Sequence, residues 1–317
     1  MKTPIALALA IPLILAAGCS TSSPSPNAGL VAGFSPPAPA EGEIRLLAPL
    51  VANIAPGADV TWCEYIASPF DREVDVIASR GFQSHSGHHT ILMEVVGAEK
   101  RLGQSHECTD ADMTNARFLA GGSDGIAKFS IPEGIAFRIA KGSVLMVQTH
   151  WINTGSEPID GQTVFNIKAV APDPSRKQAQ LFAAYTANVD LPPRGEASAS
   201  TDCTFGRDLD FFALGGHAHE WGSHLKMSVR RGGLWETFYD QAWEPQFQSD
   251  PPLNYYDPKR AFHFAKGDVL RVECKYKNTT NDRIRFPREM CVGEGFFFPG
   301  TSDIQCADGR WIDKETK

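Results

Sequence analysis

Short apolar stretches, alternating with polar residues or running together for fewer than ten positions, recur along the chain. TILMEVV (90–96), SVLMVQTHWI (143–152), TVFNIKAV (163–170), DLDFFAL (208–214), HLKMSVR (224–230) and VLRVECKYK (269–277) are rich in β-branched and aromatic residues and read as strands. Turn residues such as Asn153-Thr154-Gly155, Arg231-Gly232-Gly233 and Lys266-Gly267-Asp268 separate many of them. Within 270–277, Leu270, Val272, Cys274 and Tyr276 alternate with Arg271, Glu273, Lys275 and Lys277, which gives one dry face and one wet face. No long segment keeps a helical period with caps, and strands do not alternate with helices as a doubly wound sheet requires. The pattern predicts an all-β chain of two tandem antiparallel β-sandwiches of jelly-roll type. The polar, proline-containing stretch APDPSRKQAQ (171–180) divides it into domains expected at 43–172 and 178–312.

The N-terminus breaks this pattern. Lys2 is followed by the apolar run IALALAIPLILAA and then Gly18-Cys19, a short secretory leader whose L-A-A-G-C ending resembles a bacterial lipobox with Cys19 as the lipidated residue. Residues 20–42, rich in Ser, Pro, Gly and Ala, read as a flexible tether from membrane to domain. An exported, membrane-anchored protein is therefore expected. Setting Cys19 aside leaves Cys63, Cys108, Cys203, Cys274, Cys291 and Cys306, an even set that suggests three disulfides without choosing among pairings. The net charge of −7, with basic residues interspersed, supplies no basic block for phosphates and excludes nucleic acid as partner. Nothing in the sequence fixes the oligomeric state.

Candidate chemistry lies in the histidines. ALGGHAHEWGSHLKM (213–227) places His217, His219 and His224 close together. On a strand, His217 and His219 share a face, so two imidazoles would aim at one point. His88 and His89 lie in SHSGHHTILM (84–93), and His150 ends the apolar run VLMVQTHW (144–151). Adjacent histidines on a regular strand face opposite ways, so His88 and His89 can serve one metal only at a strand end or bulge, which Gly87 could provide. Neutral imidazole suits copper and zinc alike. A thioether such as Met290, in REMCVGEGFFFP (288–299), favours reduced copper.

His-His, then Gln148-x-His150, then His217-x-His219, then Glu289-Met290-Cys291 resembles the copper type II ascorbate-dependent monooxygenases. That family includes peptidylglycine α-hydroxylating and dopamine β-monooxygenases. The order is similar, as are the gaps of 61 residues from His89 to His150, 67 to His217, and 71 from His219 to Met290. The resemblance, over about 45–306, implies two coppers per chain. One, held by His88, His89 and His150, would relay electrons; the other, held by His217, His219 and Met290, would activate O2. Gln148 would stand beside His150 as the family's glutamine does. The implied disulfides are Cys63–Cys108, Cys203–Cys306 and Cys274–Cys291. The implied reaction is hydroxylation of an sp³ C–H bond of a small-molecule substrate, with ascorbate or another one-electron donor as reductant.

The substrate pocket departs from the family. Gly215 stands where the peptide-hydroxylating members carry a carboxylate-gripping arginine, so a peptide C-terminus is not the expected substrate. Glu294 could pair an amine. Phe296, Phe297 and Phe298 are expected chiefly as packing, and if one lined a pocket the substrate would be apolar or aromatic. His224 and His85 are expected near the surface, and His106 and His263 as structural residues. Two other readings compete: an exported copper-storage or copper-delivery lipoprotein with the same ligands and no turnover, and a zinc hydrolase with Glu220 as base.

Overall fold

The computed structural model describes residues 29–95, 99–113, 116–123, 129–248 and 250–313. The expected leader 1–19, with Cys19, lies outside the described residues. Strands dominate, interrupted only by single helical turns, and they stack as the predicted all-β sandwiches. Among the described residues, strands before residue 179 pair with one another, and so do those after it. Three pairings are parallel rather than antiparallel: 81–82 with 122–123, 177–178 with 135–136, and 182–185 with 304–307.

In the N-terminal half, Ala116–Ser123, Gly87–Val95, Val144–Ile152 and Asp59–Ala67 lie side by side in a ten-stranded sheet. Residues 29–42, the described part of the expected tether, run along this half. The Val31 amide donates to Gln162 (2.9 Å), and the Pro37 carbonyl accepts from Asn166 (2.9 Å) and from Arg45 (2.5 Å). In the C-terminal half, Leu209–His217 pairs with Cys291–Phe298, which pairs with Gln180–Thr186, in a seven-stranded sheet. Facing it is a four-stranded sheet of Glu196–Thr204, Val269–Lys277, Gly222–Arg231 and Leu234–Ala242. Gly216 and Gly293 are cross-strand partners. A Cβ on Gly216 would come within 2.2 Å of Leu225, and one on Gly293 within 2.7 Å of Val272, both on the opposite sheet. The glycine pair therefore lets the two sheets approach closely beside His217.

Between the halves lies one shared core. Phe212 and Phe296 from the C-terminal half pack with Phe118, Phe129 and Phe137 from the N-terminal half. The Phe296 ring stands 4.9 Å from Phe118, 4.4 Å from Phe129 and 5.9 Å from Phe212 between centroids. The Asp303 carboxylate accepts from the Phe118 amide at 3.0 Å and the Leu181 amide at 2.8 Å, bridging the halves with hydrogen bonds. Phe297, one residue on from Phe296, points through the sheet into the C-terminal core, while Phe298 returns to the shared one. All three phenylalanines are core, and none is a pocket wall.

The disulfides are Cys63–Cys108, Cys203–Cys306 and Cys274–Cys291, the pairings the family resemblance implies. The last ties the strand Val269–Lys277 to the residue following Met290.

Phe296→Ala should remove the centre of the shared core and lower unfolding free energy by about 3–5 kcal/mol. Urea denaturation measures this, and a loss below about 1 kcal/mol would contradict a shared core. A second expectation concerns Glu64, buried opposite Val147 and Ser105, whose two oxygens lack a well-formed hydrogen bond. Burial pushes its carboxyl up to about 8. The unfolded chain then releases this proton near pH 4.5 and the folded chain near 8, so stability falls as pH rises between them. Glu64→Gln should remove up to about 1.4 kcal/mol per pH unit of that slope. An unchanged slope between pH 5 and pH 8 would contradict it.

Candidate metal centre

The strand Gly87–Val95 lies antiparallel to Val144–Ile152, with His89 opposite His150. The pairing shifts register between Gly87 and His89, so a bulge falls at His88. That irregularity removes the strict alternation that would send His88 and His89 to opposite faces. Their Nδ1 atoms approach to 3.3 Å. The His150 ring lies 4.8 Å from the His88 ring and 5.0 Å from the His89 ring between centroids. One nitrogen from each residue falls within 4.8 Å of the other two, a spacing that a single ion can bridge. Gln148 is opposite Ile91 and Cys63, on the same sheet face as His150.

The second histidine pair forms differently from the expectation. The strand Leu209–His217 ends at His217, so His219 is not on it but in the loop beyond. The cause is Glu289, fully buried beside this loop. One of its oxygens accepts the His219 amide at 2.6 Å and the Met290 amide at 2.8 Å, and the other accepts the Trp221 amide at 3.1 Å. A carboxylate that accepts three amides from two segments competes successfully with the sheet ladder. It fixes the His219 loop to the residue before Met290. The His217 and His219 rings still meet, with centroids 5.1 Å apart and nearly perpendicular planes. His219 Nδ1 donates to the Arg288 carbonyl at 2.9 Å, which leaves its Nε2 lone pair free. Tyr276 adds a hydroxyl bond to the Met290 carbonyl at 2.9 Å.

Four imidazoles, those of His88, His89, His217 and His219, are held neutral. Burial, then the charges of His150 and His219, lower His88 to about 4. His89 is pushed well below its usual value by burial, and by His150, His88, His217 and His219. Burial, then His219, His88 and His150, takes His217 to about 3, and His219 is lowered chiefly by burial. Neutral imidazole is the form with a lone pair for a metal. Histidines of each half also feel those of the other, so the two groups lie within electrostatic reach across the junction.

Other expected residues fall as follows. A Cβ on Gly215 would come within 2.6 Å of Leu253 and of the Pro252 carbonyl, so that position has no room for an arginine-sized side chain. Glu294 is opposite Gly215, on the sheet face of Val292 and His217, and burial raises its carboxyl to about 7. Glu220 is exposed, as is His85. His224 pairs with Asp240 at 2.6 Å, His263 with Asp210 at 2.8 Å, and His106 joins the buried Asp112. Two carboxylates went unread in the sequence. Glu289 was visible as a member of the Glu289-Met290-Cys291 motif but with no role of its own, and Asp59, 2.6 Å from His150 Nε2, carried no signal.

Two groups of histidines, one in each β-sandwich half, thus lie at the junction, with the Met290 backbone tied to the second. Residues 179–310 match the family described as copper type II ascorbate-dependent monooxygenase, C-terminal domain. The family resemblance read from the motifs is thus supported over the C-terminal half of the chain. No curated protein matches it. Among solved structures it is similar to VP54 of PBCV-1, at 9% identity over 81% of this chain and 93% of that one, with TM-score 0.32. It is also similar to PNGase F, a glycosylasparaginase from Flavobacterium meningosepticum, at 8% identity over 82% and 91%, with TM-score 0.29. Likenesses this weak bear on neither fold nor function.

Glu289→Ala should leave the His219, Trp221 and Met290 amides without their acceptor. Hydrogen exchange at those amides should quicken, and stability should fall by about 1–3 kcal/mol. Unchanged exchange would contradict the pinning of this loop.

Proposed function

We propose that this protein is a copper-dependent monooxygenase that hydroxylates an sp³ C–H bond of a small organic substrate, using O2 and an external reductant such as ascorbate. One observation carries the reading: three histidines converge in one half, within electrostatic reach of a histidine pair whose loop is tied to the Met290 backbone, in a half that matches the monooxygenase family. His88, His89 and His150 would hold the relay copper, with Gln148 beside them. His217, His219 and Met290 would hold the copper that meets oxygen. Bound copper supplies one-electron steps, so that substrate, O2, two electrons and two protons yield the alcohol and water.

The chain's own residues supply the rest. Burial keeps the imidazoles neutral at physiological pH, so their lone pairs remain available without competition from protons. The Arg288 carbonyl turns His219 Nε2 outward, and Glu289 holds that loop beside Met290. A soft thioether favours the reduced ion, which suits the site that encounters O2. The shared core of Phe118, Phe129, Phe212 and Phe296 fixes the separation across which electrons pass. The crowding at Gly215 favours substrates without a carboxylate to be gripped there, and Glu294 offers a carboxyl near its midpoint at neutral pH as a polar contact. The three disulfides fit an oxidising compartment, and we place the chain outside the cytoplasm, anchored through lipid at Cys19.

The test is ascorbate-dependent transfer of label from ¹⁸O2 to a panel of small aliphatic and aromatic amines and alcohols. Wild-type protein should label at least one of them. Met290→Ile should abolish labelling while the His88 set still binds copper, and His150→Ala should lose one of two coppers. Activity retained in Met290→Ile would remove Met290 from the site. Two bound coppers with no labelling and no ascorbate-dependent O2 uptake would instead favour a copper carrier.

A further inference from the structure

Asp59 opens the strand Asp59–Ala67, antiparallel to Val144–Ile152. Its cross-strand partner is Ile152, and His150 is opposite Thr61, so Asp59 and His150 are diagonal neighbours on one sheet face. The Asp59 carboxylate lies 2.6 Å from His150 Nε2, in the range of a charge-assisted hydrogen bond. A carboxylate oxygen this close accepts, so Nε2 is the nitrogen that carries the proton in the imidazole form able to bind a metal. The lone pair is then on Nδ1, the same atom through which His88 and His89 approach each other.

We infer that Asp59 is the positioning residue of the His88–His89–His150 set: it fixes the His150 tautomer, presents Nδ1 to the ion, and contributes a negative charge behind that ring. This rests on the reading of those three histidines as a copper site. A carboxylate behind a metal-bound imidazole raises ligand basicity and orients the ring. The other set lacks that charge at the equivalent place, because His219 is oriented by the neutral Arg288 carbonyl. The relay copper should therefore favour its oxidised state more than it would with a neutral partner. The Asp59 side chain is 66% exposed, so replacing it leaves the core untouched.

The experiment compares wild type, Asp59→Asn and Asp59→Ala by competitive copper titration, Cu(II) paramagnetic resonance and redox titration, with thermal unfolding as the control for folding. Asp59→Ala should weaken copper at the His88 set by about 10–100-fold, change its Cu(II) spectrum and leave the other set's affinity unchanged. Asp59→Asn keeps an acceptor for Nε2–H and should recover most of the affinity. Having lost the charge, it should still show a raised reduction potential. Unchanged affinity, spectrum and potential in Asp59→Ala would overturn the inference while leaving the copper site standing. So would equal loss in both variants with an oxygen donor on the wild-type ion, since Asp59 would then be a ligand. If wild type takes up no copper at this set, the functional reading fails along with the inference.

Discussion

The candidate centre depends on the apolar contact between its halves. Each histidine set belongs to a different half, so no strand, loop or disulfide of one half fixes its distance from the other set. The disulfides all close within one half or the other. The rings of Phe118, Phe129, Phe137, Phe212 and Phe296 supply what they do not. Each buried aromatic side chain contributes on the order of 1.5–3 kcal/mol by burial, with more from edge-to-face and offset packing. Asp303 adds direction, because its carboxylate accepts one amide from each half. A sliding or opening motion would have to expose this cluster, so the two sets are held within reach of each other by the same interaction that stabilises the fold.

The electrostatics of the junction follow from that arrangement. Several imidazoles brought together in a partly buried space cannot all be charged, and burial together with mutual repulsion drives them neutral. This is an unfavourable place for protons and a favourable one for a cation that uses lone pairs. Carboxylates around it divide the labour. Glu289 is spent on three backbone amides and shapes a loop. Asp59 keeps its charge near the surface beside His150. Glu294, buried without a countercharge, is raised towards neutrality.

Much of this was legible in the sequence where local pattern and final structure agree. Thr163–Val170 and Val269–Lys277 are strands to the residue, the first a β-branched run buried over its first five positions, the second alternating between a buried face and a wetter one. The need for an irregularity at His88-His89 followed from period two alone, and a bulge lies there. Pattern failed where one strand serves two cores. In Cys291–Phe298, Phe297 faces one core and Phe296 and Phe298 the other, so the run shows no polar alternation. It failed again at His219, where i, i+2 spacing suggested a strand but a buried carboxylate 70 residues away drew the backbone into a loop. The Asp59–His150 contact spans 91 residues and depends on strand register, which a linear sequence does not display. Ligand types were readable one at a time; the groups that orient them were not.

The most direct test of two facing metal sets is a crystal structure of the full chain loaded anaerobically with copper, with anomalous maps on either side of the copper edge. The account predicts two peaks in one chain, one among His88, His89 and His150 and one beside His217, His219 and Met290, facing each other across the junction. A single peak, or copper on surface pairs such as His224–Asp240 with either proposed set empty, would contradict it.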